Sequence, residues 1–217
     1  GRKEGFAREY FENGKVKVEA TFKGGELSGI RKEFHANGNP RTEENYVNGK
    51  RQGIAVNSLA TGMTESEISW ANGMRTGPAK LYFDSGKLRA EEFYKGDVLE
   101  GKRKEYYESG ALKSEYTYEN GKQNGPTSII AGSGRLKVDL SFWDGNLSGV
   151  SKVCVYYKSG KIKTEWYFKP GGDESTEKEF YEDGVLKSET KYKGGQMDGA
   201  SKKYDESGRM ESEKNYT

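Results

Sequence analysis

The sequence predicts an all-β chain: an elongated, open antiparallel meander of about nine 24-residue β-hairpin repeats, a single-layer, solenoid-like ribbon. Three observations predict it. Glycine recurs as Gly14, Gly38, Gly62, Gly86, Gly110, Gly134, Gly160, Gly184 and Gly208. Eight residues after each comes an aromatic: Phe22, Tyr46, Trp70, Tyr94, Tyr118, Phe142, Phe168, Tyr192 and Tyr216. Five residues after each comes an acid: Glu19, Glu43, Glu67, Glu91, Glu115, Asp139, Glu165, Glu189 and Glu213. A short fixed period is the mark of a repeat array, in which each unit buries its apolar groups only with its neighbours' help.

Counting each unit from the glycine nine residues before the recurring one, units start at 5, 29, 53, 77, 101, 125, 149, 175 and 199. They form one continuous array over 1–217, truncated at both ends. The unit starting at Gly101 reads as a strand of about six residues, a turn at Ser109-Gly110, a strand of about eight, and a turn at Asn120-Gly121. Some 18 strands follow. The second turn is Asn48-Gly49, Asn72-Gly73, Asn120-Gly121 or Asp144-Gly145, the composition of a two-residue type I′ hairpin in which both residues take positive φ. The first turn is mostly Ser-Gly. Serine suits positive φ less, so a three-residue loop closed by a left-handed glycine fits better.

That loop implies a register in which unit position 5 opposes position 13. The pairs are Glu9–Lys17, Glu33–Arg41, Glu105–Lys113, Glu179–Lys187 and, with both signs reversed, Lys203–Glu211. Directly opposed residues of opposite charge favour pairing. One face then carries Tyr106, Leu112, Ser114, Tyr116 and Tyr118, or Ile130, Leu136, Val138, Leu140 and Phe142, alternating with polar residues as in a half-buried sheet. Carried into the next unit, the alternation puts the next aromatic on the wrong face. A bulge with one extra residue is therefore expected at the glycine of unit position 1. The least regular stretches are 53–76, with Ser58 in an aromatic's place, and 149–176, with an insertion near Cys154 and Pro170-Gly171-Gly172.

Hydrophobic residues make up 32% of the chain, and mean hydropathy is −1.01. Disorder is nonetheless disfavoured, because net charge is only +2 and aromatics reach 12%. A charge so close to balance gives no pull toward nucleic acid or anionic lipid. Lone Cys154 excludes an internal disulfide, and no apolar run is long enough for a membrane-spanning helix. The chain starts at Gly1 in the tail of a preceding unit, as expected of a trimmed piece of something longer, which leaves open whether a leader was cut away. The compartment stays open between cytoplasm and cell envelope.

Segments such as Lys104-Glu-Tyr-Tyr-Glu-Ser-Gly-Ala-Leu-Lys-Ser-Glu and Tyr118-Glu-Asn-Gly-Lys-Gln-Asn-Gly125 resemble the MORN-repeat variant common in bacterial repeat proteins. The resemblance covers essentially the whole chain and recurs in phase. It implies an elongated antiparallel sheet of hairpins that serves as a scaffold or docking surface, with membrane attachment in some members. It also implies the YwqK-like antitoxin label that many such chains carry. It supplies no catalytic residue. Units 53–76 (Val56, Ser58, Thr64) and 125–148 (Ser128, Ala131) depart most from the pattern.

Chemistry is sparse: the sequence predicts no catalytic residue, no metal site and no cofactor. His35 stands where other units place Phe or Tyr, and reads as a substituted sheet residue. One His and one Cys make neither a zinc set nor a nucleophile with its base. Gly96-Asp-Val-Leu-Glu-Gly-Lys102-Arg103 approximates a phosphate loop but ends in Arg103 instead of Ser or Thr, on glycines the turns already require. Nine equivalent acids lack the two distinct environments that glycoside hydrolysis needs. The candidate binding residues are a second aromatic column, Phe11, Phe83, Tyr107, Tyr157 and Tyr181. It reads either as side chains half covered by Lys and Arg stems or as a row of binding platforms. A non-enzymatic surface for a protein partner is the leading expectation, antitoxin or immunity action being one case. The alternatives are a glycan or cell-wall module using the same row, a membrane-surface scaffold, and a spacer. Nucleic acid is not expected. Membrane contact is weakly supported by interleaved charge, and edge-to-edge self-association stays open.

Overall fold

The computed structural model describes residues 1–169 and 171–217. Pro170, part of the irregular stretch 149–176, lies outside them. The described residues contain strands and turns but no helix, and every strand pairing is antiparallel. They form two compact units, Gly1–Ala111 and Leu112–Thr217, each an open meander of hairpins. Among the described residues there are 22 strands where about 18 were expected. The excess is the four two-residue strands Glu26–Leu27, Lys50–Arg51, Val98–Leu99 and Lys122–Gln123, each cut from the following strand by a bulge.

Both turns follow their chemistry. In the first, the N–H of unit position 7 donates to the carbonyl of position 11, and position 10 donates back to position 7: Phe11 to Lys15 and Gly14 to Phe11, both at 2.9 Å. Gly14 there has φ +80°, as a three-residue loop closed by a left-handed glycine requires. In the second, Asn48 and Gly49 have φ 48° and 72°, and Asp144 and Gly145 have 47° and 83°, the two positive values of a type I′ turn.

The register differs from expectation by one residue. Glu9 faces Val18, Glu33 faces Thr42, Glu179 faces Ser188 and Lys203 faces Ser212. The loop does pair position 6 with 12, as Phe34 with Pro40, but position 13 is then squeezed out as a bulge. Such a bulge lets a hairpin follow the right-handed twist of its strands. Lys17, Arg41, Lys187 and Glu211 therefore oppose nothing directly; Lys187 reaches Glu179 only diagonally, at 3.8 Å. The charged pairs that do oppose are at positions 4 and 15. Arg8 faces Glu19 and Lys32 faces Glu43, with ion pairs of 2.8 and 2.9 Å. Because position 4 also faces the acid of the preceding unit, charges alternate along the sheet: Glu19, Lys32, Glu43; then Glu67, Lys80, Glu91; then Glu165, Lys178, Glu189, Lys202, Glu213. The scheduled acids are one side of this ladder.

The bulge expected at unit position 1 is present, but it holds two extra residues. Ile68 pairs with Ala79 and Trp70 with Arg75, so Ser69 faces Thr76, Gly77 and Pro78. A Cβ on Gly77, at φ +106°, would lie 3.2 Å from Ser69 Cβ; Gly29 and Gly101, at φ +90° and +74°, have open space there, so the left-handed backbone is what favours glycine at this position. With two extra residues the alternation is not reversed, and the face problem disappears.

The buried line runs through positions 3, 14 and 16 and is made of small residues. Ala20, Ala55, Ser66, Ala79 and Ala90 occupy it in the first unit; Ser114, Thr127, Thr164 and Thr190 occupy it in the second. The scheduled aromatics Tyr46, Trp70, Tyr94 and Tyr118 are only half-buried. A single-layer sheet has no second layer to cover a large central side chain, so the middle of the face stays small and the rings flank it.

Candidate functional site

The five residues of the second aromatic column, Phe11, Phe83, Tyr107, Tyr157 and Tyr181, are all half-buried, each at the base of a first-turn loop. The bulged position 13 explains their cover. Lys17, Lys163 and Lys187 place their ammonium groups over the rings of Phe11, Tyr157 and Tyr181, at 6.0, 5.9 and 5.9 Å from the centroid. The hydroxyls are used as well. Tyr157 donates to the carbonyl of Phe180 at 2.8 Å, and Tyr181 to that of Tyr204 at 2.9 Å, each one repeat further on. His35 occupies the same unit position and makes the same reach: its Nε2 is 2.8 Å from the carbonyl of Ser58. A carbonyl only accepts, so Nε2 carries the proton. The column thus ties neighbouring hairpins together, and what it offers outward is the uncovered part of each ring.

The opposite end of the hairpins is tied too. Gly49 donates to Leu27, Gly73 to Arg51 and Gly145 to Gln123 across successive type I′ turns, at 2.8–2.9 Å. Asp97 receives both the backbone N–H and the guanidinium of Arg75, and these hydrogen bonds hold its carboxyl below the usual carboxylate range.

Sequence reasoning missed a charged cluster on the small-residue face. Glu44 is buried, and it accepts from Arg31 at 3.2 Å, from the Tyr46 hydroxyl at 2.9 Å and from Arg51 at 2.9 Å. Glu92 repeats the pattern with Arg103 at 2.7 Å and the Tyr94 hydroxyl at 2.7 Å. Burial, then the bond to Glu92, pushes the Tyr94 phenol up to about 12. The signal was readable: Arg31/Glu44 and Glu92/Arg103 sit at positions 3 and 16, where most units have small or apolar residues. A buried carboxylate so surrounded by donors is compensated in place. Among the described residues, no three His, Cys, Asp or Glu side chains gather as a metal-ligand group.

The face opposite the buried line carries another missed feature. Phe6, Ile30 and Ile54 recur at unit position 2, and Phe93 pairs with Pro78 at that position in the next repeat. All four large side chains are exposed, by 45–63%. Phe6, Ile30 and Ile54 follow one another at about 9.6 Å, two strand spacings, and Phe93, one strand beyond Pro78, lies about 14 Å from Ile54, three spacings. The stripe escaped notice because the off-by-one register assigned faces wrongly. The cation–acid pairs Arg8–Glu19 and Lys32–Glu43 stand beside it on the same face and neutralise one another.

Compared with known families, the chain matches the MORN repeat variant over residues 3–23, 27–48, 75–95, 99–120, 151–169, 174–193 and 197–217. The chain belongs to the MORN repeat variant family. The two longest gaps, 49–74 and 121–150, hold all of unit 125–148 and all but the last two residues of unit 53–76, the two units whose sequences depart most from the repeat pattern. A search of curated proteins finds no match. Membership supports a repeat-based binding or scaffold role for the array.

Proposed function

We propose that this MORN-repeat chain is a non-enzymatic docking scaffold whose partner is a protein presenting an apolar face. The observation that carries the reading is the stripe of Phe6, Ile30 and Ile54, exposed at one-repeat intervals and continued by Phe93 on the strand beyond Pro78, on a sheet whose turns are hydrogen-bonded from repeat to repeat. A rigid row of apolar anchors loses little entropy on binding. Contiguous exposed apolar surface of this kind marks interaction sites. Flanking charges that cancel select neither nucleic acid nor anionic lipid, and they leave apolar complementarity as the basis of recognition. Antitoxin or immunity action is one case of such binding.

The experiment is a pull-down from lysate of the source organism, read by mass spectrometry, followed by binding of the retained protein to the purified chain. An Ile30→Asp/Ile54→Asp double variant is run beside the wild type; both sites are exposed, so the hairpins are expected to keep their fold. A stoichiometric protein held by the wild type and lost by the variant supports the reading. A protein held equally by both moves the site elsewhere, with Tyr107, Tyr157 and Tyr181 next to be tested. No retained protein overturns protein docking.

A further inference from the structure

Among the described residues, Trp143 has the most exposed large hydrophobic side chain, at 70%. It precedes the type I′ turn Asp144-Gly145 at unit position 19, where the other units place Lys, Val, Ala, Glu or Thr. Nothing in the hairpin calls for an indole there, since the neighbouring units form the same turn without one. Beside it lies a cleft of about 410 Å³ lined by Glu119, Asn120, Lys122, Asn124, Trp143 and Asp144. The cleft is built on two successive type I′ turns joined by the Gly145-to-Gln123 hydrogen bond of 2.8 Å, so its walls are fixed.

The lining combines one large aromatic with amides and carboxylates. Lys122 is engaged by Asp144 at 2.7 Å, and Asn124 donates to the Glu119 carboxylate. Two carboxylates against one neutralised ammonium oppose an anion, which removes phosphate, nucleic acid and acidic peptides as ligands. A single apolar wall is too little for an apolar peptide anchor, which needs a desolvated pocket around it. A neutral ring with a C–H face and a rim of hydroxyls suits every group present. The face stacks on the indole, the hydroxyls donate to the carboxylate oxygens of Glu119 and Asp144, and the Asn124 amide and Lys122 ammonium donate back. All-equatorial pyranosides have such faces, because their axial positions carry only hydrogen.

We propose that Trp143 and the cleft between the turns at Asn120-Gly121 and Asp144-Gly145 form a binding site for a β-linked, uncharged pyranoside. The site uses none of the residues of the protein-docking stripe or of the second aromatic column.

The test is titration of the purified chain with cellotetraose and with chitotetraose, followed by tryptophan emission. Trp70 and Trp166 are half-buried, so a blue shift on binding reports chiefly on Trp143. The expected result is a saturable blue shift with at least one of the two sugars, absent in Trp143→Ala and retained in part in Trp143→Tyr, which keeps an aromatic platform. Asn124→Ala should weaken binding about tenfold, as the loss of one well-placed polar contact does. The melting curve of each variant is recorded beside the titration, and Trp143→Tyr carries the test if Trp143→Ala unfolds. The site is overturned if neither sugar shifts the emission, if a folded Trp143→Ala variant gives the wild-type shift, or if tetramethylammonium or inorganic phosphate produces the shift while the sugars do not.

Discussion

Units 53–76 and 125–148 depart from the repeat in the same ways, yet they fold differently. Each lacks the cation at position 4, having Val56 and Ser128, and each lacks an aromatic at position 7, having Leu59 and Ala131. Neither falls within a matched segment of the family. Unit 53–76 nevertheless keeps the common hairpin: Leu59 donates to Met63 at 2.8 Å around a three-residue loop, and Glu65 is bulged between the pairs Asn57–Ser66 and Ser58–Thr64. Unit 125–148 does not. Ala131 donates to Leu136 around a four-residue loop, and Ile130 pairs directly with Lys137, with no bulge at position 13. Losing the ladder cation is common to both, so the ladder does not set the register. The side chain at position 7 separates them. Leu59 still gives the bulged residue an apolar surface to lie on, and Asp205, at position 7 of the last unit, keeps the three-residue loop and the bulge at Glu211 by accepting from the N–H groups of Ser207 and Arg209. Ala131 can do neither, and the extra residue moves into the Gly132-Ser-Gly134 loop.

The largest effect that could break this account comes from stripping a regular unit of its position 7 ring. Tyr181→Ala removes the bond to the Tyr204 carbonyl and the surface under Lys187. A cost of about 2–3 kcal/mol is expected, below that of a fully buried ring because Tyr181 is half-buried. Tyr181→Phe loses only the hydrogen bond and should cost about 1 kcal/mol. Urea denaturation gives both values. Cross-strand NOEs should show Phe180 moving from Leu186 toward Lys187; an unchanged pairing of Phe180 with Leu186 would break the link between ring and bulge.

Much of this was legible in the sequence. The recurring glycines gave the units, and the two turn compositions gave both loop types, because positive φ is a local demand that few residues meet. The register was not legible from the turn. A bulge residue obeys no alternation, and Lys17 or Lys187 looks equally suited to a glutamate across the strand and to a ring six residues away. One misplaced residue exchanged the faces of the shorter strands, so it hid the apolar stripe of Phe6, Ile30 and Ile54 and set Arg31 on the face away from its partner Glu44. The acids at position 15 were noticed, but their partners at position 4 were not, although Arg8, Lys32, Lys80, Lys104, Lys178 and Lys202 recur there, broken only where Val56 and Ser128 stand.

The irregular unit also displaces charge in the strand that follows. With no bulge at Lys137 and two inserted residues, Lys152 faces Asp139 on one side and Tyr167 on the other, while Cys154 faces Glu165. Lys152 still reaches Glu165 diagonally, at 2.5 Å, and the Tyr167 hydroxyl donates to it at 2.7 Å. Burial pushes the Glu165 carboxyl up, but the bonds from Lys152 and Tyr167 outweigh it and leave the group below its ordinary value of 4.5. A carboxyl whose folded pKa is depressed adds stability that is present above the unfolded value and lost as pH falls through the folded one. Stability should therefore drop on acidification below about pH 4.5, and Glu165→Gln should flatten that part of the profile while costing about 1–2 kcal/mol at neutral pH. An unaltered acid limb in thermal melts of Glu165→Gln would show that the diagonal contact does not compensate for the broken ladder.

Restoring what unit 125–148 lacks sharpens the comparison from the other side. Ala131→Tyr supplies a ring at position 7, and the expected outcome is a three-residue loop with Lys137 bulged over it. The gain should be at most about 1 kcal/mol, since strain from the inserted strand alongside opposes it. The measurement is the NOE pattern of Ile130, which should exchange Lys137 for Leu136.

The smallest effect tests the ladder alone. Val56 stands between Glu43 and Glu67, directly opposite both. Val56→Lys completes the alternation at that point and removes a repulsion between two acids that now flank an uncharged residue. An exposed pair of this kind yields a few tenths of a kcal/mol, up to about 1, and fades with salt. The hairpin register should not move, because Glu65 is already bulged on Leu59. A register change in Val56→Lys would return the ladder to the role that the loop and its bulge hold here, whereas a small, salt-sensitive rise in melting temperature with unchanged NOEs leaves charge as a reinforcement of a register set by packing at the turn.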